Sequence, residues 1–189
     1  GYYAFRLFAI VITLLSVYAV SFRRSLVFFG LALAVPALVE HLRITRSDAS
    51  ALSLLTISFS IAFDAFIIVI IFRRVFIHGH PNSETISGAL CIYLLLGFGF
   101  ASIYRMLATV QPHAFYLNPQ TNLHAIPNRF DWIYYSFGTM TSLGVDGITA
   151  VSDQARSLTV IEAVLGLLYL AVMISRLVGA YRTGPHEEH

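Results

Sequence analysis

The sequence predicts an all-α integral membrane protein of five membrane-spanning helices and one re-entrant segment. Three observations predict it. Of 189 residues, 57% are hydrophobic and 12% are charged, about half the charged share of an ordinary soluble domain. The mean hydropathy is +0.74. The apolar residues come in runs close to the roughly 20 that a helix needs to cross a hydrocarbon core, and none shows the alternation of a membrane β-strand. Hydrocarbon offers no partner to an unpaired backbone N–H or C=O, so runs of this length must be helices. A soluble monomer and a disordered chain are both excluded.

The first span runs from about Tyr2 to Phe22, with Arg6 near its start. No small-residue cleavage site follows it, so it reads as a span and not as a signal peptide. Arg23 and Arg24 make a basic turn into a shorter second span, Ser25 to about Leu38, which crosses only by continuing past Pro36 towards Leu42. The third span, Ala51–Phe72, is apolar apart from Asp64 and stops at Arg73-Arg74. A polar stretch from His78 to Glu84 precedes the fourth, about Ser87 to Val110. The fifth, Leu158 to about Tyr181, carries Glu162 early and Arg176 late.

The stretch Gln111–Ser157 breaks the pattern. It opens with a polar loop holding Pro112, Pro119 and Pro127, then a semi-apolar piece from Phe130 to Met140 that is too short to cross. Asn128 suits a helix N-cap, with Asp131 in the capping-box position. Trp132, Tyr134 and Tyr135 are amphipathic rings suited to a membrane interface. The glycine-punctuated run Thr141-Ser142-Leu143-Gly144-Val145-Asp146-Gly147 follows at once. A half-helix returning as irregular backbone is tolerated at membrane depth only inside protein or around a cavity. The pattern predicts a re-entrant loop, the alternative being an amphipathic helix lying on the surface.

Competing chemistries find little support. All twelve basic residues are arginine and the formal charge is +2, which gives no basic face for nucleic acid. Cys91 reads as a small packing residue. No His/Cys cluster, nucleophile–base pair or phosphate loop is present, so neither an enzyme nor a bound cofactor is expected. His78, His80, His113 and His124 sit in loops, where a pH or zinc response competes with plain solvation. His186-Glu-Glu-His189 is too short for a metal site. No span carries arginine at every third position, which excludes a voltage sensor. No internal repeat points to a secondary transporter.

From about Ser87 to Tyr181 the residues resemble the pore module of tetrameric potassium channels, most closely small bacterial membrane proteins with a two-helix ion-channel domain. The family filter usually reads Thr-Thr-Val/Leu-Gly-Tyr-Gly-Asp-Ile, against Thr141-Ser142-Leu143-Gly144-Val145-Asp146-Gly147-Ile148 here. Tyr134-Tyr135, Ser136 and Arg156 match the flanks, and Gly166 stands where the family keeps a glycine that bends the inner helix. The resemblance implies three peripheral helices over residues 1–80 and a pore module over 81–189. That module would comprise an outer helix (about 87–110), a pore helix (about 129–140), a filter (141–147) and an inner helix (about 157–181). It implies a homotetramer in which four loops meet on one axis and carbonyl oxygens replace a cation's water shell. Ser142, Leu143 and Gly144 would hold a monovalent cation, K+ or Na+, with Thr141 steadying the loop from behind. It also implies a bacterial plasma membrane, an external N-terminus and a cytoplasmic C-terminus. The arginines divide evenly between the two sides and do not decide orientation.

The departures from the family are specific. Gly-Tyr-Gly-Asp becomes Gly144-Val145-Asp146-Gly147, so the bracing tyrosine is gone and a filter glycine is an aspartate. The pore-helix glutamate and the outer aspartate that pair in many relatives are replaced by Gly138 and Gly147. The expectation is a monovalent cation channel with weakened potassium selectivity. A potassium-selective pore and a non-conducting scaffold or regulatory subunit are the alternatives. Asp146 either forms a carboxylate ring that attracts cations, Ca2+ among them, at the mouth, or caps a turn. Asp64 is either a gating or proton-sensing group, or a structural acid such as a partner of Arg176. Glu162 is expected to brace the pore helix from behind, and Arg176 to anchor the inner interface.

Overall fold

The computed structural model describes residues 51–73, 75, 83–121 and 126–182. The spans expected at Tyr2–Phe22 and Ser25–Leu38 lie outside these residues, as do His78, His80, His124 and His186–His189. The described elements are α1 (Ala51–Phe72), α2 (Ser83–Val110), β1 (Phe115–Leu117), α3 (Arg129–Met140), β2 (Ile148–Ala150) and α4 (Asp153–Arg182). Among the described residues, Leu52–Phe72, Ile86–Val110 and Asp153–Arg176 are long and apolar enough to cross a membrane. These are the third, fourth and fifth expected spans. With 12 residues, α3 reaches about 18 Å, well short of a ~30 Å hydrocarbon core.

The N-terminus of α3 forms as its sequence predicts. Asn128 Oδ1 accepts from the amides of Phe130 at 2.8 Å and Asp131 at 3.2 Å. In return, Asp131 Oδ2 accepts from the Asn128 amide at 2.7 Å. This reciprocal box satisfies N–H groups that the helix itself leaves over. The inner helix starts earlier than expected, at Asp153 instead of near Leu158. Ser152 Oγ accepts from the Ala155 amide at 3.2 Å, and Asp153 sits where the helix dipole favours negative charge. Hydropathy does not register that polar first turn.

Two apolar clusters hold the elements together. Phe63 and Ile67 of α1 meet Leu95 of α2 in one. The other gathers Phe100, Ala101 and Tyr104 of α2, Ala114, Phe115 of β1, Trp132, Ile133 and Tyr135 of α3, Ile148 of β2, and Ala155 of α4. Ring edges meet ring faces in it: Tyr104–Tyr135 and Phe115–Trp132 both have centroids 5.0 Å apart, a favoured geometry. Trp132 and Tyr135, expected at the membrane interface, are therefore core residues at 3% and 5% exposure, and only Tyr134 is exposed. They are turned inward because α3 packs against α2 on one side and α4 on the other. α3 is thus held between two of the long apolar helices, with Phe130 and Tyr134 left exposed.

β1 and β2 form an antiparallel pair in the register Phe115–Ala150, Tyr116–Thr149 and Leu117–Ile148. The pairing extends past both strand ends through Asn118 N to Gly147 O at 3.0 Å and Val151 N to Ala114 O at 2.9 Å. Asn128→Ala should lower stability by about 1 kcal/mol, read as a lower unfolding temperature of the detergent-solubilised protein, whereas Asn128→Asp should retain the cap.

Candidate functional site

The last carbonyls of a helix have no partner within it. At the end of α3 they are taken by the chain that follows. Thr141 N donates to Phe137 O at 3.0 Å, Ser142 N to Thr139 O at 3.0 Å, and Leu143 N and Gly144 N to Gly138 O at 2.9 and 3.3 Å. Thr141 Oγ1 also donates to Phe137 O, at 2.7 Å, which ties the exposed threonine to the helix end. The backbone turns left-handed at Ser142 (φ 56°) and again at Gly144 (φ 79°). Glycine adopts that region freely, while serine is held there against a steric cost. Four consecutive N–H groups are thus committed to α3. Among the described residues, the carbonyls of Ser142, Leu143 and Gly144 accept no backbone hydrogen bond. Residues 141–144 are exposed in the single chain, Leu143 by 76%. The Ser142 and Leu143 carbonyls thus lie unpaired in an exposed run, while the Gly144 carbonyl oxygen lies beside Gly138 of α3.

The outer half is built differently. A Cβ on Gly138 would collide with Cγ2 of Val145 and lie 3.5 Å from the Gly144 carbonyl oxygen. Val145 occupies the space a side chain at 138 would need, and it packs against the aromatic cluster. The smaller residue on the helix and the smaller residue in the loop fit one another. Gly147 is buried while Asp146 is exposed. Nothing in the described residues supplies Asp146 with a hydrogen bond, so the turn-cap reading has no bond behind it.

Behind this loop, Glu162 is fully buried and joins three helices. Tyr104 of α2 donates to its Oε2 at 2.5 Å. Ser136 of α3 donates to its Oε1, also at 2.5 Å. The Ser136 hydroxyl faces a second acceptor, Gly97 O, at 2.7 Å, and its one proton serves one acceptor at a time. Next to this joint, Tyr135 and Thr159 share a hydroxyl hydrogen bond of 2.9 Å. Glu162 thus links α4 to α2 and α3 through these hydroxyls. Gly166, one turn further along, lets α3 approach closely: a Cβ there would stand 2.7 Å from the Met140 carbonyl oxygen. α4 passes through Gly166 as unbroken helix.

Among the described residues no ion pair joins Asp64 to Arg176, whose Nη1 donates to Val75 O at 3.5 Å. A cavity of about 20 Å3 separates α1, α2 and α3, lined in part by Ser60, Ser102, Arg105 and Arg129. That is room for about one water molecule. Sequence reasoning missed Tyr104, Arg129 and the Gly138–Val145 fit. A tyrosine inside an apolar span is the one signal that pointed to the first.

The family model described as "Ion channel" matches residues 88–182, half of the chain. The chain belongs to this ion-channel family. The match covers residues of α2 through α4, so the loop after α3 lies within the matched ion-channel domain, and the apolar helices are those of a membrane protein. No curated protein and no solved structure matches the chain at a significant level.

Two outcomes follow from this channel domain's packing. Glu162→Leu leaves the buried Tyr104 hydroxyl without its acceptor and should cost about 1–3 kcal/mol, whereas Glu162→Gln keeps an acceptor and should cost less; thermal unfolding in detergent ranks them. Gly138→Ala should destabilise by about 1–3 kcal/mol through overpacking, and Val145→Ala should relieve it, so the two changes should be non-additive in a double-mutant cycle.

Proposed function

We propose that this chain is the subunit of a homotetrameric cation channel that conducts monovalent cations passively, with potassium selectivity weakened or altered. One observation supports the reading: the N–H groups of Thr141 to Gly144 are committed to α3, and the Ser142 and Leu143 carbonyls of this exposed run accept no backbone hydrogen bond among the described residues. One subunit supplies one such run, and a cation needs oxygens from several sides to replace its water. A closed fourfold ring of identical subunits meets that need. The Ser142 hydroxyl adds oxygens at the inner end. The C-terminal end of α3 carries partial negative charge and favours a cation below the filter.

In this reading α2 is the outer helix, α3 the pore helix and α4 the inner helix, with Gly166 as a point where α4 can bend. The three leading spans surround the pore, five spans in all. The N-terminus lies outside and the C-terminus in the cytoplasm of a bacterial plasma membrane. Val145 and Asp146 shape the outer filter. Four Asp146 carboxylates at the mouth attract cations and offer a site for Ca2+. Asp64 and Glu162 are the acids within the spans, and Glu162 holds the pore helix that carries the filter.

The reversal potential of the purified protein in a planar bilayer, with K+ on one side and Na+ on the other, tests the selectivity. A reversal near zero with clear unitary steps is expected. A strong shift towards the potassium potential would mean that the inner sites alone select, and silent tetramers would favour the scaffold. External Ca2+ should reduce the current of the parent protein, and Asp146→Asn should lose most of that reduction; calcium-insensitive currents in both would remove Asp146 from the mouth.

A further inference from the structure

In the outer part of the loop Val145 packs against the aromatic cluster and Asp146 is exposed. The residues next to the filter are tied elsewhere. Immediately after Asp146, the Gly147 carbonyl accepts from the Asn118 amide at 3.0 Å, and the next three residues pair with Phe115–Leu117. The receiving strand is itself fixed. Phe115 sits against Trp132 and Tyr135 of α3, with ring centroids 5.0 and 5.7 Å apart. Ala114 is fully buried, and its carbonyl accepts from the amides of Val151 and Ser152 at 2.9 and 3.2 Å. The chain leaving the filter is therefore clamped, through backbone bonds, to a strand rooted in the same core as the pore helix.

We propose that the β1–β2 clamp, with the Asn118 amide at its filter end, is the positioning device that holds the outer filter of this channel open. This inference rests on the channel reading. A brace made of backbone bonds does not depend on the side chains at 145 and 146, which allows those positions to be a valine and an exposed aspartate. It also makes the Pro112–Thr121 loop a route by which events outside the membrane reach conduction.

The test combines bilayer recording with hydrogen exchange of the filter peptide. Asn118→Pro removes the amide donor, and Asn118→Ala keeps it. Asn118→Pro should accelerate exchange of the 141–147 amides at least tenfold, with the 129–137 amides unchanged, and should reduce sustained current or shift the reversal potential. Asn118→Ala should stay within about twofold of the parent. Tyr116→Cys with Thr149→Cys, directly opposed in the register and oxidised in a Cys91→Ser background, should restore filter protection to Asn118→Pro until reductant is added. Unchanged exchange at 141–147 in Asn118→Pro, or equal losses in Asn118→Ala, would overturn the proposal. Because exchange is read without current, a parent protein that does not conduct fails the channel reading and leaves the clamp decided by its own measurement.

Discussion

The candidate filter depends on how α3 ends. A helix that stops inside a protein exposes its last carbonyls to no water, and each must find a donor. Here the donors are the amides of Thr141, Ser142, Leu143 and Gly144. That choice has two consequences. It forces left-handed backbone at residues 142 and 144, and it leaves the carbonyls of the same run uncommitted. The same hydrogen bonds that terminate the helix therefore set the course of the loop that follows it.

Such a loop is useful only where α3 is held at a fixed depth. A helix of this length cannot anchor itself by spanning, so its neighbours must hold it. Aromatic rings do so on the α2 side, the Met140–Gly166 approach on the α4 side, and Glu162 behind. A buried carboxyl is costly unless its oxygens are bonded. Both oxygens of Glu162 have hydroxyl donors, one from α2 and one from α3. The bonds that make its burial tolerable are also those that fix the pore helix relative to its two flanking helices. Removing the charge and removing the joint are thus different changes.

Much of this was legible in the chain. Apolar runs located α1, α2 and α4, and the Asn128–Asp131 spacing marked the start of α3 to the residue. The bracing role of Glu162 was expected from its place early in an apolar helix. What stayed hidden shares a physical cause. β1 and β2 are three residues each, too short for any periodic signal, and form only because the folded core brings distant segments together. The start of α4 lay in a polar turn. Gly138 and Val145 looked like separate losses, and their fit exists only in three dimensions.

In the proposed tetramer, the two halves of the candidate filter would ask different things of an ion. The inner half offers neutral carbonyl and hydroxyl dipoles, whose discrimination depends on the number and spacing of oxygens around the ion. The outer half, in a fourfold ring, offers full charges on exposed side chains. A carboxylate ring in contact with water concentrates cations and responds to their valence more than their size. Its attraction weakens as salt rises, since exposed charges are screened within about 10 Å at 0.1 M. Carbonyls tied into the protein are screened far less. Changing ionic strength therefore alters the mouth and leaves the inner sites nearly untouched. In the proposed channel, selectivity that survives high salt would be assigned to the inner sites, and selectivity that disappears to Asp146.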